Sequence, residues 1–453
     1  MRPRSLTLQS KRLEIGIDDT DSLKGGCTTF VAYNVIKAVT DKHHVKVADY
    51  PYLIRLNPNY PPKTKGNGAV KVSLQLGMDA DPKTVTETVV DVVRSHSRIN
   101  EEGTEPAIAL AIDLVRDEPL TAFYYSALVD VLQSGMAVGL AEKLGIDLLF
   151  LKDSNKGAVG ALAALGADLS EDHTYELLAY RDESMWGKPR KIDKRSVITM
   201  DHETSPLTFN NYDYAHKRVL ITPHGPDPIL VGIRGETPDV LLRAFEMLRF
   251  QEPISGYAVF KTNQGTDAHF RTFHERHSEE LAPHSVACIS GKVARRPEAI
   301  RGGHVLFSVG EQTQEIPVIC FVESGGLTKK VRKLERDDIV EVCGGTRERG
   351  KALCLNLERL DLVQVAVKKV IRPPVCPDCG KRCKSKGLRQ GYVCPKCGRA
   401  FRQPQTIEVE RVIEPGTYLP DAGAMRHLSK PLSRKGLEKG SHQAMPLIDG
   451  WFK

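Results

Sequence analysis

Short apolar runs alternate with polar, turn-rich segments along the first half of the chain, and the spacing of the apolar positions changes from run to run. Leu13–Ile17 (LEIGI) is continuous enough for a short buried strand and runs directly into the acidic loop DDTDS. Thr28–Val39 follows a Gly-Gly-Cys turn and has helical periodicity. Residues 45–57 and 69–76 read as strands flanking the turn-rich loop NPNYPPKTKGNG. Thr84–Arg94 carries Val85, Val89, Val90, Val92 and Val93, one face of a helix. Ala107–Leu114 is a strand, and two helices are predicted near 120–145 and 156–165. This alternation predicts an α/β or α+β unit over residues 12–200.

The pattern changes near Lys217. VLITPH and ILVGIRG are predicted strands around a GPDP turn, followed by a helix from Thr237 to Phe250. That order suits a small ferredoxin-like α+β layer over 201–251, with earlier elements left open as members of it. From 252 to 364 come many short strands with Gly turns: ISGYAVFKT, SVACISGKVA, HVLFSVG, EIPVICFVE, DIVEVCGGT and ALCLNLERL. The helix-like patch KKVRKLERDD sits among them, and together they predict a five-stranded OB-fold barrel. Residues 365–403 hold a cysteine module, and 404–453 read as a basic C-terminal tail.

Composition adds limits. The chain has 453 residues, 41% hydrophobic and 27% charged, as expected of a multidomain globular protein. No stretch approaches the roughly 20 apolar residues of a membrane span. The N-terminus is basic without the apolar run of a secretion signal, so the expected location is cytoplasmic, with no membrane association. No obligate protein partner is evident. The net charge of +7 is concentrated from Val365 to Lys453, while the remainder is slightly acidic. A basic end on a near-neutral body is the footprint of a polyanion-binding region; a solvated tail is the plainer alternative.

Of ten cysteines, four form two CxxC pairs: Cys376/Cys379 and Cys394/Cys397. Each pair makes a knuckle that points two thiolates at one ion, and two knuckles complete a tetrahedron. Zinc is expected, since a ribbon with Lys and Arg between its knuckles needs no redox centre. The others, Cys27, Cys288, Cys320, Cys343, Cys354 and Cys383, are expected to be mostly buried free thiols.

The second chemical signal is Asp18, Asp19 and Asp21 at the end of a strand, suited to a hard cation such as magnesium chelated by nucleotide phosphates. Gly25, Gly26, Cys27, Thr28 and Thr29 then meet a helix start, where backbone N–H groups and the helix dipole favour phosphate. An Asx turn followed by a Thr cap is the plainer reading of either half alone. Together they favour a nucleoside-triphosphate site, without a Walker motif. In the next loop, Lys63 and Lys65 are candidates for neutralising phosphate and Asn67 for orienting substrate. GPDP, GIRGE and TNQGTDAH are polar turns that identify no reaction by themselves.

The ordered set IGIDDTDSLKGGCTT, NPNYPPKTKGNGAV, GPDPILVGIRGE, TNQGTDAH, CPDC…CPKC and RHLSKPL, spanning Ile15 to Leu432, resembles the archaeal tRNA 2-agmatinylcytidine synthetase family. The resemblance implies a kinase-like catalytic domain over 12–200, then ferredoxin-like, OB-fold and zinc-ribbon domains. It implies an ATP-dependent carbon–nitrogen ligase that joins agmatine to the wobble cytidine of the isoleucine tRNA with a CAU anticodon, so that it reads AUA. ATP would be consumed to AMP and pyrophosphate. By motif, Thr28 is similar to the family's phosphorylated residue, and Asp18, Asp19 and Asp21 to its magnesium and phosphate carboxylates. The segment GTEPA departs from the pattern where a Gly is expected near position 107. The alternative is a non-catalytic OB-fold and zinc-ribbon protein that binds single-stranded nucleic acid.

Overall fold

The computed structural model describes residues 11–63, 66–271, 281–311, 314–350, 352–440 and 445–453. Lys65 and the N-terminal ten residues lie outside them.

One ten-stranded sheet dominates the first 262 residues. Its early strands are β1 (Arg12–Asp18), β2 (Val45–Val47), β3 (Tyr52–Arg55), β4 (Gly68–Leu76), β5 (Ala107–Ile112) and β6 (Asp147–Phe150). Then come β7 (Thr174–Arg181) and β8 (Thr208–Phe209), a separate hairpin of β9 (Tyr212–Asp213) and β10 (Arg218–Val219), and β11 (Ile229–Gly235) and β12 (Ile254–Thr262). The order is β6-β5-β1-β4-β3-β12-β7-β11-β8, with β2 also on β4. Every pairing in this sheet is antiparallel except β3 with β12, where Lys261 faces Tyr52 and Thr262 faces Leu53. That parallel seam joins the early strands to the ferredoxin-like layer of β7, β11 and β12.

Helices cover both faces. Helix α1 (Thr28–Lys42) packs with α2 (Pro82–His96), which starts on a good local signal: Pro82 in the first turn and the Asp81 side chain accepting from Lys83 N–H. Helices α3 (Glu118–Val129), α4 (Ser134–Leu144) and α5 (Ala158–Gly166) lie on the opposite face. Strand β5 shows the division: Ile108 and Leu110 join the cluster containing α1 and α2, while Ala107, Ala109 and Ala111 join that of α3 to α5. The alanines are small because α5, sequence AVGALAALG, lies close on the sheet. A Cβ on Gly16 would collide with the Ala161 carbonyl. The helical pattern predicted near 120–145 is interrupted at 130–133 and forms two helices.

Helices α6 (Lys194–Thr204) and α7 (Pro238–Glu246) flank the ferredoxin-like layer, and the short α8 (Ala268–Arg271) leads to the barrel. The barrel comprises β13 (Val286–Ala299), β14 (Val305–Glu311), β15 (Gln314–Cys320), β16 (Ile339–Arg349) and β17 (Ala352–Gln364). It closes by a parallel pairing of β15 with β17, and α9 (Gly326–Val331) packs against it. Strands β18 (Lys368–Arg372) and β22 (Gln405–Val409) form a two-stranded stem. The stem carries the cysteine module, whose β19 (Lys384–Ser385), β20 (Tyr392–Val393) and β21 (Ala400–Phe401) make a three-stranded sheet. Beyond the stem, β23 (Gly416–Tyr418) returns to the barrel beside β17.

Four expectations are corrected. ISGYAVFKT is not a barrel strand: it is β12, buried almost throughout beside β7 and β3. The polar loop TNQGTDAH accordingly ends the large sheet rather than decorating the barrel. Of VLITPH only Val219 is in a strand, as the second residue of β10. Cys288 and Cys343 are a disulfide, not free thiols, because the β13–β16 register sets them directly opposite each other. Finally, residues 404–453 are not a tail separate from the body. Leu428 and Arg434 are buried, Phe452 bridges to Ala258 of β12, and Trp451 and Phe452 pack on the core.

Candidate active site

The acidic loop leaves β1 through Asp19, whose φ of 56° lies in the left-handed region that Asp tolerates better than most residues. This turn aims Asp18, Asp19 and Asp21 into one cleft, together with Tyr60, Lys63, Asn67 and Lys156. Space for Asp18 is made by α5: a Cβ on Gly160 would overlap its carboxylate. Burial, then the neighbouring Asp19 charge, holds the Asp18 carboxyl well above the usual range. Burial pushes Asp19 up to about 6 against the pull of Lys156, whose Nζ lies 3.5 Å from Asp19 Oδ2. That oxygen is buried and has no hydrogen-bond partner. Clustered, desolvated carboxylates of this kind fit a hard divalent cation.

Thr28 faces a second cleft, lined also by Cys27, Thr29, Arg55, Glu176, Asp227 and Arg234. It opens α1, a 15-residue helix with no side-chain cap and no acid in its first turn, so the helix N-terminus keeps its attraction for anions. The Thr28 hydroxyl accepts a 3.0 Å hydrogen bond from Thr20. Gly25 and Gly26, at φ 146° and 85°, supply the tight turn before it. Asp21, Gly66 and Gly68 line both clefts, so a thin wall separates the acidic loop from Thr28.

The structure therefore brings together Asp18, Asp19, Asp21, Lys63 and Asn67 in one cleft and Cys27, Thr28 and Thr29 in the next. Gly25 and Gly26 shape the turn without lining either cleft. Asn67 also holds its own loop, donating 3.1 Å to the Asn57 carbonyl. Sequence reasoning did not single out Arg55, Lys156 or Glu176, and it gave no role to Asp227 of the GPDP turn. Arg55 closes a strand and Lys156 precedes a helix, positions that carry no local signature. Asn263, from TNQGTDAH, places Arg55: it accepts from Arg55 N–H at 2.8 Å and donates to its carbonyl at 2.9 Å. Gln264 Oε1 accepts from Arg55 Nε at 3.2 Å.

The four knuckle cysteines converge as their spacing indicates. Their Sγ atoms lie within 4.8 Å of one another. Gly380 and Gly398, with φ of 63° and 75°, close the knuckles by donating to the Cys376 and Cys394 carbonyls at 2.8 and 3.0 Å. The module's core is little more than these sulfurs with Cys383, Tyr392 and Phe401. So small a core needs the metal that this donor set fits, tetrahedral zinc.

Comparison with known proteins gives a consistent result. Family models described as the TiaS TCKD domain, the TiaS FLD domain and the TiaS C-terminal zinc ribbon domain match residues 14–153, 155–269 and 373–413. The isoleucine tRNA 2-agmatinylcytidine synthetase TiaS of Methanocaldococcus jannaschii is 36% identical over 424 residues, covering 92% of this chain and 97% of that protein. Its counterpart from Staphylothermus marinus is 38% identical over 442 residues, covering 95% of each. Among solved structures, apo TiaS (an isoleucine tRNA agmatidine synthetase) superimposes with a TM-score of 0.83 at 35% identity, covering 96% of this chain and all of that one. A complex of TiaS with its isoleucine tRNA, AMPCPP and agmatine gives 0.81 at 34% identity, covering 93% of this chain and 97% of that one.

Proposed function

The chain belongs to the isoleucine tRNA 2-agmatinylcytidine synthetase family, and from that premise we propose how its two adjoining clefts divide the work of an ATP-dependent ligase. The enzyme conjugates agmatine to the wobble cytidine of the isoleucine tRNA with a CAU anticodon, forming 2-agmatinylcytidine, and acts in the cytoplasm. The observation that carries this reading is the shared wall: Asp21, Gly66 and Gly68 face the acidic cleft on one side and the Thr28 cleft on the other.

The chemistry requires such an arrangement. The cytosine C2 carbonyl is a poor electrophile and its oxygen a poor leaving group. ATP converts that oxygen into a phosphate-type ester, after which the primary amine of agmatine attacks C2 and the esterified oxygen departs. On this reading ATP lies in the first cleft, with Lys63 and Lys156 beside its phosphates and Asn67 orienting the loop. Asp18, Asp19 and Asp21 would hold magnesium, which supplies charge neutralisation of the phosphates when bound. Thr28, similar to the family's phosphorylated residue, is the acceptor nearest the wall. Gly25 and Gly26 free the backbone at the α1 N-terminus, where Cys27 and Thr29 complete an anion-attracting turn. Lys65 belongs to the same loop and to the same proposal, outside the described residues. The second cleft suits the cytosine and the amine, and Glu176 and Asp227 are the carboxylates there able to receive a guanidinium. The reactive base must leave its stack to reach it.

Zinc, held by Cys376, Cys379, Cys394 and Cys397, shapes a basic RNA-contacting lobe. Incubating the purified chain with the tRNA, ATP and agmatine, then weighing the wobble nucleoside by mass spectrometry, tests the whole reading. The expected product is cytidine gaining agmatine with loss of water; unmodified cytidine in all conditions refutes it.

A further inference from the structure

A third cavity lies where the two clefts meet, and its wall is unlike either. It is lined by Arg55, Lys63, Arg426, His427 and Asn67, with no carboxylate among its described lining residues. It shares Lys63, Gly66 and Asn67 with the acidic cleft and Arg55, Gly66 and His427 with the Thr28 cleft. Arg55 comes from the end of β3, Lys63 from the following loop, and Arg426 and His427 from the RHLSKPL segment near the C-terminus.

The parts are tightly fitted. A Cβ on Gly66 would stand 2.8 Å from Arg55 Nη1 and 3.3 Å from His427 Cδ2, so a side chain there would press on both the guanidinium and the imidazole. Arg55 is positioned by the amide side chains of Asn263 and Gln264, with Glu176 the carboxylate that acts on its charge from the Thr28 cleft. Arg426 pairs with Glu358 on the barrel side, Nε 3.7 Å from Oε1, and that one carboxylate also acts on Lys63, fewer negative charges than the cluster has positive ones. The electrostatic consequence falls on His427, whose imidazole is held well below its usual range chiefly by Arg55, with Arg234, Arg426 and Lys63 adding to it. Like charges gathered this closely repel unless an anion sits among them.

We propose that this cavity is a tetrahedral phosphate subsite, completed by Arg426 and His427 of the C-terminal segment and placed between the nucleotide cleft and the Thr28 cleft. Guanidinium groups suit the site because they match phosphate oxygens in a fork, and a neutral imidazole adds a donor without further repulsion. The phosphate has two sources in the proposed reaction: the phosphoryl group leaving ATP, or a phosphodiester of the tRNA beside the reactive cytidine. The inference rests on the ligase reading for the source of the phosphate, not for the anion cavity itself.

The test uses the full-length, zinc-loaded chain with Arg426→Ala and His427→Asn. Both residues keep solvent-facing surface, so folding should survive; Arg426→Gln serves as a second variant, and thermal melts check each. Two quantities are read: protein labelling by γ-labelled ATP without tRNA, and tRNA affinity by filter binding at three salt concentrations. Labelling reduced about tenfold or more with unchanged tRNA affinity assigns the site to the transferring phosphoryl group. A weaker affinity with a salt slope shallower by roughly 0.7 to 0.9 per lost contact, and intact labelling, assigns it to the tRNA backbone. Loss of both supports the subsite for both. Folded variants that leave both quantities within about twofold overturn the proposal. Mass analysis of the wobble nucleoside made by the unmodified enzyme separates that failure from failure of the ligase reading.

Discussion

Arg434 and Asp172, separated by 262 positions in sequence, meet in the interior: Arg434 Nη2 donates to Asp172 Oδ1 at 3.1 Å. Arg434 also donates to both Glu236 oxygens and to the Gly265 carbonyl, and Lys439 donates to Glu236 at 2.6 Å. The side chain is fully buried. The C-terminal segment is thereby clasped by the loop before β7, the turn after β11 and the loop after β12.

Arg434→Ala is expected to lower folding stability by about 3–5 kcal/mol, since it leaves Asp172 and Glu236 as buried charges short of partners. Denaturant unfolding measures this. A loss under about 1 kcal/mol would mean that the clasp contributes little and that the segment is held by its apolar contacts alone. For the same reason, deleting residues beyond 425 should compromise the catalytic body.

Zinc is expected at one ion per chain by elemental analysis, and Cys376→Ser should release it. The ribbon stands on the β18–β22 stem and shares no strand with the large sheet, so the main thermal transition should shift little while tRNA affinity falls. Retention of stoichiometric zinc in the variant would contradict the four-thiolate site.

Asp19→Asn is expected to lower ATP turnover by at least about 100-fold, several kcal/mol of lost phosphate stabilisation, while tRNA affinity stays within a few-fold. Thr28→Ala should abolish γ-phosphate transfer to the protein, and Thr28→Ser should restore part of it. Undiminished labelling of the alanine variant would place the acceptor elsewhere.

A pH dependence follows from Lys63. Burial first, then the Arg426 charge, lowers its ammonium to about 8. An anion favours the charged form, so the bound-state value lies above the free one. Phosphate-dependent binding should therefore be full below about pH 8 and weaken as the pH rises through it. Lys63→Arg should flatten the profile, because a guanidinium stays charged, and Arg426→Ala should move its midpoint upward. A midpoint unmoved in both would remove Lys63 from the phosphate path. ATP titrations between about pH 7 and 9.5 read this out.

The sequence by itself determined whatever depends on neighbours within about a dozen residues. The CxxC knuckles needed only two short turns, and the acidic loop only the end of β1. The helix at Thr28 was legible behind its Gly-Gly-Cys turn, whereas the helix read as Thr84–Arg94 begins two residues earlier, at Pro82 behind the Asp81 cap. Periodicity also separated the sheet-and-helix half from the barrel. Tertiary structure alone decided the rest. β12 and the barrel strands have the same kind of apolar run, and only pairing with β3 and β7 assigned β12 to the large sheet. Register, not spacing, set Cys288 opposite Cys343. The basic C-terminal segment gave no sign of which of its charges lie inside, because exposed and buried lysines and arginines are alike in sequence; Arg434 is buried only because Asp172 and Glu236 await it. The anion cavity needed Arg55 and Lys63 to meet Arg426 and His427 from a segment about 360 residues further along the chain. Convergence of that kind follows from how the whole sheet closes, and no local pattern in the chain encodes it.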